Sequence, residues 1–449
     1  MNSENIISSL ISFNPWWDGK SIPQQYDFPF ERPVLEEIRG FEKIGRVVVI
    51  KGPRRTGKTT LLYQYIKGLI KSGVDPKAIL FTSMDDLNLR VPLKKIIEAY
   101  LLATGQDSPP AKFYLFLDEI QFLENWSTMI KVLADQSQGL KIIVSGSSAS
   151  LIAKGGESLA GRTIEKLILP FSISETIGAQ ERGQSQIHSW LKSSKPLKIA
   201  DLKFKPEALR FKNKLLKYTS HYLEFGGFPH LFGIQDEVLW KDLLRTDIIQ
   251  KAIYKDLADL YGIRNPLILE KLFLYLIEST AGIINLSSVS IQLKIARETL
   301  NQYLAYLKNA FLVIALPKYS RYPKEILKSQ EKIHIIDPGF TKLVAQPNKN
   351  QVLESTTTAL VLHRNQELYY WRQNYETDLV VKEDNNLIPI EVKNTARKLT
   401  ISDVRGLVNF MERYQSEIGI IIYQGDPEEI KVGGSTIRLL PSWYALPMI

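Results

Sequence analysis

The segment GPRRTGKTT, residues 52–60, constrains the fold more than any other stretch of this 449-residue chain. It matches the pattern G-x-x-x-x-G-K-[ST] in full. The apolar run RVVVIK precedes it, and apolar residues at helical spacing follow it. This order predicts a buried strand, a tight loop and a helix. The two glycines, Gly52 and Gly57, permit a curled backbone whose N–H groups face phosphate oxygens. The segment therefore predicts a phosphate-binding loop.

The side chains of this loop have distinct predicted roles. The Lys58 ammonium is expected to reach the β- and γ-phosphates of a nucleotide, and the Thr59 hydroxyl is expected to bind Mg²⁺. The positive end of the helix that begins at Lys58 adds to the attraction. The predicted nucleotide-binding residues are Gly52, Pro53, Arg54, Arg55, Thr56, Gly57, Lys58, Thr59 and Thr60. ATP and Mg²⁺ are therefore the expected cofactors.

Strands and helices alternate along the chain up to about residue 175. The strands predicted after the first one lie in KAILFTSMDD, KFYLFLDEIQ, LKIIVSGSS and EKLILPFS. Such alternation is typical of an α/β fold, in which helices cover both faces of a parallel sheet. Ligands bind at the carboxyl ends of the strands in such sheets. We therefore expect Asp118 to hold Mg²⁺ through water and Glu119 to polarise the attacking water. The alternative is that this Asp-Glu pair only caps its strand.

Further polar residues are candidates for contacts with the γ-phosphate. Ser147 follows the fourth strand and is the first candidate for sensing this phosphate, with Ser145 and Ser148 as rivals. Arg162 is a candidate arginine finger that acts on a neighbouring subunit. The equal alternative for Arg162 is a surface arginine in an ion pair. A homo-oligomer would follow from the first alternative, and the sequence leaves it open.

The composition limits the classes of function. The chain contains no cysteine, which excludes disulfides, thiolate metal sites and cysteine nucleophiles. No apolar run approaches the length of a membrane span, and the N-terminus has no signal-peptide pattern, so we expect a cytoplasmic protein without a membrane partner. The net charge of +9 is compatible with binding to nucleic acid, because phosphates attract Lys and Arg.

The chain is predicted to contain four parts. The first is the ATPase domain at residues 1–175, whose first forty residues are expected to be irregular. Residues 176–265 combine a Gly-, Ser- and Gln-rich linker, up to about residue 200, with a helical lid. Residues 266–330 show a helix, turn, helix and strand pattern, which indicates a winged helix or, alternatively, a plain helical lid. In its second helix the residues predicted to face inward are Ile295, Leu300, Leu304 and Leu307, and those predicted to face outward are Arg297, Glu298, Asn301 and Gln302.

The last predicted domain, residues 331–449, contains the charged segment YETDLVVKEDNNLIPIEVK. A two-residue turn at Asp384-Asn385 would make this segment a hairpin with Asp378 opposite Glu391. Lys393 would then share their face of the sheet. Two such carboxylates can hold Mg²⁺ or Mn²⁺, while the lysine orients the attacking water. The alternative is a charged hairpin without a catalytic role.

A set of motifs resembles, in this order, the AAA+-type ATPases of archaea and bacteria that end in a domain of unknown function. The motifs are NPWW, GPRRTGKTTLL, FLDEIQ, VSGSSASLI, YLEFGGFP, YLAYLKNAFLV, YYWR and PIEVK, and they span nearly the whole chain. The resemblance implies a P-loop ATPase core, a winged-helix segment and a C-terminal domain similar to PD-(D/E)XK restriction endonucleases. It also implies a metal-binding glutamate on the helix before the hairpin, which Glu354 matches. The element order from residue 351, α-β-β-β-α-β, is that of the nuclease core.

Three functions are consistent with these features. The first is an ATPase that acts on DNA, in which the winged helix grips the duplex and the C-terminal domain holds or cuts it with a divalent metal. The second is a signalling switch with slow ATP turnover and an inactive nuclease-like domain that binds a partner. The third is a remodeller of polypeptides, although we see no aromatic pore loop. ATP and DNA are the expected partners under the first hypothesis.

Overall fold

The computed structural model describes residues 3–136, 139–147 and 161–449. The chain divides into two compact units, Met1–Ile168 and Leu169–Ile449. Among the described residues, no helix is long and apolar enough to cross a membrane.

The first unit contains a five-stranded sheet in which all paired neighbours run parallel. Its strands are β1 Val47–Lys51, β2 Ile79–Ser83, β3 Phe113–Asp118, β4 Leu140–Gly146 and β5 Thr163–Leu167. Their order across the sheet is β2-β3-β4-β1-β5. Every residue of β2 and β3 is buried, as expected for parallel strands that are covered on both faces. The predicted parallel α/β sheet is therefore confirmed.

Helices cover both faces of this sheet. They are α1 Ser3–Phe13, α2 Val34–Gly40, α3 Lys58–Lys71, α4 Leu93–Thr104 and α5 Trp126–Gln136. Leu115 and Leu117 of β3 pack in a core with residues of α1, α4 and α5. Phe116, between them, packs on the opposite face with residues of α2 and α3. The alternation follows from the two-residue period of a strand.

The N-terminal segment differs from the irregular start that was predicted, because residues 3–13 form helix α1. The Asn14 side chain after this helix donates to the Phe81 carbonyl at 2.8 Å and accepts from the Phe81 N–H at 2.7 Å. The indole N–H of Trp17 donates to the Ile79 carbonyl at 2.9 Å. Since β2 is an edge strand, these contacts satisfy backbone groups that an edge leaves unpaired. The NPWW motif therefore closes one edge of the sheet.

The second unit begins with helices. They are α6 Ile173–Gln180, α7 Gln186–Ser194, α8 Lys212–Phe225, α9 Glu237–Leu243, α10 Ala258–Tyr261 and α11 Pro266–Glu278, with a π-helix at Leu244–Leu257 between α9 and α10. The linker predicted between residues 176 and about 200 is therefore wrong, since α6 and α7 fill most of it. A capping box starts α6, in which Ser172 and Glu175 each accept from the backbone N–H of the other.

A small antiparallel sheet follows, with the order β6-β8-β7. Its strands are β6 Gly282–Ile283, β7 Val313–Leu316 and β8 Lys332–Ile335, and its helices are α12 Leu286–Leu293, α13 Arg297–Asn309 and α14 Pro323–Lys328. In α13 three leucines are buried and four polar residues are exposed, as predicted; they are Leu300, Leu304, Leu307 and Arg297, Glu298, Asn301, Gln302. Ile295, also predicted to face inward in this helix, lies before its first residue and is half-buried. Strand β8 was assigned to the last domain by sequence. It pairs with β6 and β7 instead, and such pairing partners are not encoded in the strand itself.

The C-terminal part of the second unit forms a six-stranded mixed sheet with the order β13-β14-β12-β11-β10-β9. Its strands are β9 Glu367–Arg372, β10 Glu376–Glu383, β11 Asn386–Val392, β12 Ile418–Tyr423, β13 Glu428–Val432 and β14 Ser435–Pro441. Its helices are α15 Lys349–Leu362, α16 Arg405–Tyr414 and α17 Ser442–Met448. The predicted order α-β-β-β-α-β is confirmed from α15 to β12. The hairpin β13-β14 and helix α17 extend this core beyond the predicted elements.

Candidate functional site

The loop between β1 and α3 has the curled backbone that the glycine spacing predicts. Gly52 has a φ of 154°, Arg55 of 63° and Gly57 of 86°. A Cβ atom on Gly52 would lie 2.0 Å from the Ile168 carbonyl oxygen. Only glycine therefore fits at position 52, for reasons of both backbone conformation and space.

Lys58, the first residue of α3, is folded over this loop. Its Nζ donates to the carbonyl oxygens of Gly52 at 2.9 Å and of Pro53 at 2.8 Å. Only 5% of the residue is exposed. The ammonium is thus held where the loop closes, next to the N–H groups at the helix start. When a phosphate binds, the Lys58 ammonium could donate to its charged oxygens in place of these neutral carbonyls. Hydrogen bonds between two charged groups are stronger.

Asp118 ends β3 beside the loop. Its Oδ2 accepts from the Thr59 hydroxyl at 2.7 Å, and its Oδ1 accepts from the Ser145 hydroxyl on β4. Complete burial and the charge of Glu119 raise the pKa of Asp118 to about 6, against the hydrogen bonds from Ser145 and Thr59 and the charge of Lys58. A hydroxyl and a carboxylate are the hard oxygen donors that Mg²⁺ prefers. Thr59 and Asp118 therefore fit a magnesium ion.

Glu119 follows Asp118 in the left-handed backbone conformation, with a φ of 50°. The two consecutive carboxylates have different hydrogen-bond partners. The Gln121 amide donates to Glu119 Oε2, which holds the carboxylate in one orientation. Glu119 follows directly after the strand that ends in Asp118, and its predicted role in polarising the attacking water stays a prediction.

The three serine candidates for sensing the γ-phosphate lie at the end of β4 and just after it. Ser145 is fully buried and its hydroxyl is bonded to Asp118, so it stabilises the ionised form of that carboxylate. Ser147, the first candidate for sensing phosphate, is buried as well, and its role stays a prediction. Ser148 lies outside the described residues.

Arg162 lies directly before β5 on the surface of the first unit. Its Nε is 3.1 Å from Asp135 Oδ1, and the two side chains are 44% and 51% exposed. An exposed pair of this kind contributes little to stability. Within one chain, Arg162 thus has the ion-paired surface position that was the alternative to an arginine finger. Its action on a neighbouring subunit stays a prediction.

One residue at the loop was missed in the sequence. Arg32 is buried, with 6% exposure, and its Nη1 donates to the Thr56 carbonyl at 3.1 Å. Nearby, the Gln64 side chain of α3 donates to the Phe30 carbonyl at 2.8 Å. These two contacts fix the segment before α2 against the phosphate loop and α3. Arg32 lies about twenty residues before the motif, so no spacing rule could have indicated it.

The C-terminal sheet forms a second candidate site, and its hairpin register is confirmed. Strands β10 and β11 pair from Leu379–Ile390 to Glu383–Asn386. This leaves residues 384–385 as the turn, with a φ of 54° at the first of them. The same register places Asp378 opposite Glu391 at the other end of the hairpin.

The charged groups predicted for this second site lie close together and are ion-paired. Lys393 Nζ is 2.5 Å from Glu391 Oε1, and Asp378 Oδ2 accepts from the Val392 N–H at 2.9 Å. Lys332, which the sequence did not indicate, reaches Glu354 Oε1 at 2.5 Å and Asp378 Oδ1 at 3.6 Å. Among the described residues, no group of three or more Asp, Glu or His side chains is arranged to hold a metal ion. The metal role predicted for Glu354, Asp378 and Glu391 is therefore unsupported.

Burial governs the charge states at this second site. Burial and the charge of Asp378 raise the pKa of Glu391 to about 8, against the opposing effect of Lys393 and Lys332. The same two causes raise the pKa of Glu354 well above its ordinary value. Burial lowers the pKa of Lys332, but Glu354, Asp378 and Glu376 outweigh it, so this pKa lies above its ordinary value. The lysine is therefore charged at neutral pH.

Three parts of the chain match known families. Residues 45–177 match the family described as an AAA domain. Residues 216–350 and 350–443 match two families described as domains of unknown function, DUF8612 and DUF4143. The junction at residue 350 groups β8 with the preceding region, as its strand pairing does. Residues 45–177 are thus an AAA-type P-loop ATPase domain, and the predicted ATPase core is confirmed at this level.

Relatives extend over most of the chain. The uncharacterized protein MJ1544 of Methanocaldococcus jannaschii is 28% identical over 416 residues, which are 89% of this chain and 87% of that protein. An uncharacterized protein of Haemophilus influenzae is 25% identical over 421 residues, which are 91% of this chain and 96% of that protein. Among solved structures, the Walker-type ATPase paby2304 of Pyrococcus abyssi aligns with a TM-score of 0.36 and 16% identity, over 73% of this chain and 99% of that one.

Proposed function

We propose that this chain hydrolyses ATP with Mg²⁺ and uses the reaction to act on DNA. The observation that carries the ATPase part is the contact between the Thr59 hydroxyl and Asp118 Oδ2, 2.7 Å long, beside the phosphate loop. It joins the two residues on which an ATPase of this type depends for its magnesium ion. The buried Lys58 ammonium, which is placed to bind the phosphates, is the third residue that ATP hydrolysis requires here.

The residues of the chain have the following roles in this proposal. The loop N–H groups and Lys58 bind the phosphates, and Thr59 and Asp118 would hold Mg²⁺. The ion, when bound, neutralises charge that develops on the phosphate oxygens. Glu119, oriented by Gln121, accepts a proton from the attacking water. Ser145 keeps Asp118 ionised, and Arg32 holds the loop backbone in place.

The proposed action on DNA rests on the region from β6 to β8. Residues 282–331 contain seven Lys or Arg and three Glu. Helix α13 exposes Arg297, Asn301 and Gln302, which are side chains of the types that contact phosphates and base edges. Between β7 and β8 the exposed basic residues are Arg321, Lys324 and Lys328. The order helix, strand, two helices and two further strands agrees with a winged helix.

The C-terminal domain has two candidate roles in this proposal. Metal-dependent DNA cleavage is favoured by the hairpin register, which places Asp378 opposite Glu391 with Lys393 beside them. A role limited to binding DNA or a partner, as in the signalling switch, is favoured by the ion pairs of Lys332 with the same carboxylates. The α-β-β-β-α-β order agrees with a nuclease-like fold and serves either role.

The test of the ATPase part is steady-state ATP hydrolysis. Lys58→Ala removes the ammonium that binds the phosphates, and Glu119→Gln removes the proton acceptor. Each is expected to lower kcat by about 100-fold or more. The control is Lys95→Ala, an exposed lysine on α4 of the same unit, which is expected to match the wild type. Wild-type rates in Glu119→Gln would contradict the proposed role of this carboxylate.

The test of the DNA part is hydrolysis with and without duplex DNA. We expect DNA to stimulate the wild type, and the triple variant Arg321→Ala, Lys324→Ala, Lys328→Ala to lose this stimulation because it loses phosphate contacts. The matched control replaces three exposed lysines of the first unit, Lys20, Lys71 and Lys95, by alanine. Equal rates with and without DNA, at several salt concentrations, would remove the DNA part and favour the signalling switch.

A further inference from the structure

Lys332 is a buried cation in the middle of the C-terminal carboxylates. Its side chain is 3% exposed. Its Nζ lies 2.5 Å from Glu354 Oε1, 2.6 Å from Glu376 Oε1 and 3.6 Å from Asp378 Oδ1. The three carboxylates come from helix α15 and strand β10, whereas the lysine comes from strand β8. An ammonium with three donors thus has three acidic partners.

The lysine cannot easily move away from these carboxylates. Its backbone pairs with Ile283 of β6 and with Leu316 of β7, so β8 is held on both sides. A buried ammonium that lost its acidic partners would be strongly destabilising, because an unpaired charge would remain away from water. The position of Lys332 is therefore set by the small antiparallel sheet and not by a flexible loop.

Four carboxylate oxygens of this site already lie beside an ammonium or a backbone N–H. Asp378 offers Oδ1 to Lys332 and Oδ2 to the Val392 N–H. Glu354 offers Oε1 to Lys332, and Glu391 offers Oε1 to Lys393. Glu354 Oε1 and Glu391 Oε2 are buried without a hydrogen-bond partner among the described residues, although Glu354 Oε1 lies 2.5 Å from the Lys332 ammonium. Two such oxygens do not make a site for Mg²⁺, which demands several ligands in octahedral geometry.

We propose that Lys332 is a built-in cation that takes the place of the divalent metal, so that the C-terminal domain neither binds a metal nor cleaves DNA. The inference rests on the proposed function, since it decides between the two candidate roles of that domain. It assigns the C-terminal domain to the role of binding DNA or a partner. Lys332 is then a positioning residue that orders Glu354, Glu376 and Asp378. An ammonium neutralises carboxylates as a metal does, but it does not activate water as a Lewis acid.

The first test is Mn²⁺ binding to the nucleotide-free protein, followed by electron paramagnetic resonance. All variants carry Asp118→Asn, which removes the metal ligand of the ATPase domain. This background is expected to bind no Mn²⁺ at the C-terminal site, and adding Lys332→Met is expected to create one Mn²⁺ site per chain. The matched control is Lys382→Met on β10, an exposed lysine paired with Glu367 at 3.0 Å, which is expected to create none.

Two results would overturn the inference. In the first, the Asp118→Asn protein binds Mn²⁺ and the further substitution Asp378→Asn abolishes this binding. The C-terminal site would then accept a metal in the presence of Lys332. The other is a folded Lys332→Met variant that still binds no Mn²⁺, because the lysine would then not be what excludes the ion.

A second measurement keeps the test valid if Lys332→Met does not fold. Thermal unfolding of the background is then compared in Mn²⁺ and in EDTA, since a bound metal stabilises the folded state. We expect equal Tm values, and a metal-dependent rise in Tm that Asp378→Asn removes would overturn the inference.

Cleavage assays separate this inference from the proposed function. With linear and branched DNA and Mg²⁺ or Mn²⁺, the wild type and Glu391→Gln are expected to leave the DNA equally intact. Cleavage that Glu391→Gln abolishes would refute the inference and leave DNA-stimulated ATP hydrolysis untouched. If DNA does not stimulate ATP hydrolysis by the wild type and no metal binds at the C-terminal site, only the DNA part of the proposed function is refuted.

Discussion

At the scale of single residues, Asp118 shows how a buried carboxylate is adjusted for a metal. Burial and Glu119 raise its pKa to about 6, while hydrogen bonds from Ser145 and Thr59 oppose the rise. Because the folded pKa lies above the unfolded one, lowering the pH protonates Asp118 before it would protonate an exposed aspartate. The protonated form cannot serve a magnesium ion, so ATP hydrolysis should weaken as the pH falls through about 6.

The fall of the hydrolysis rate at low pH is the acidic limb of the pH–rate profile. The Ser145 hydroxyl should influence the pH at which this limb lies. Ser145→Ala removes a hydrogen bond to the ionised form, which raises the pKa of Asp118 further. We expect the acidic limb of kcat/KM to move up by about one to two pH units, as a hydrogen bond to a charged group is typically worth about 1.5–3 kcal/mol. The measurement is ATP hydrolysis as a function of pH at low Mg²⁺.

The control for this prediction is Ser83→Ala, which lies at the end of the neighbouring strand β2 and whose hydroxyl accepts from the Asp85 N–H. Its acidic limb should coincide with that of the wild type. If the acidic limb of Ser145→Ala also coincides with that of the wild type, the Ser145 hydroxyl has no influence on the ionisation of Asp118.

Residues near one another in the sequence were predictable, and residues that meet across the fold were not. Lys58, Thr59, Asp118 and Glu119 belong to local motifs whose spacing fixes their place at strand ends. Lys332 lies 46 positions before Asp378 in the chain, and nothing in the sequence indicated its charge role. Its ion pairs depend on β8 lying beside α15 and β10, which only the tertiary structure decides.

At the scale of elements, the start of α6 shows a local signal that was overlooked. The Ser172 hydroxyl accepts from the Glu175 N–H at 3.3 Å, and Glu175 Oε2 accepts from the Ser172 N–H at 2.9 Å. The pattern S-x-x-E was visible in the sequence. The polar composition that follows suggested a linker, but α6 buries Ile173 and Ile177. Burial of one apolar face outweighed the average composition.

Removing this cap should destabilise the second unit. Ser172→Ala removes the hydroxyl that accepts from the Glu175 N–H, so this backbone group at the start of α6 loses its side-chain partner. We expect a loss of about 1 kcal/mol in the free energy of unfolding, measured by chemical denaturation. The control is Ser193→Ala, an exposed position in α7, where the effect should be near zero. A loss in Ser172→Ala no larger than in this control would contradict the capping role.

At the scale of the whole molecule, the chain consists of two compact units. The first unit carries the phosphate loop on a parallel sheet with a core on each face. The second unit combines helices, a small antiparallel sheet and the six-stranded sheet. The predicted division into four parts remains a prediction, although strand β8 does not belong where that division placed it.

Nucleotide should stabilise the first unit selectively. We expect calorimetry to resolve two transitions, of which only one shifts upward with Mg²⁺ and a non-hydrolysable ATP analogue. At a ligand concentration about a hundred times the Kd, the stabilisation is about 2.7 kcal/mol. Lys58→Ala should lose the shift and thereby identify the transition of the first unit. Equal shifts of both transitions would show that nucleotide binding also stabilises the second unit.

The sequence by itself determined the local features: the phosphate loop, the alternation of strands and helices, the hairpin register and the buried face of α13. Each of these depends on residues a few positions apart, whose periodicity and turn chemistry suffice. Only the tertiary structure decided the partners of β8, the contact of Arg32 with the phosphate loop, and the place of Lys332 among the carboxylates. These contacts join segments that are distant in the chain, so no local pattern indicates them. Burial of a polar or charged group is stable only when the fold supplies a hydrogen-bonding or oppositely charged partner.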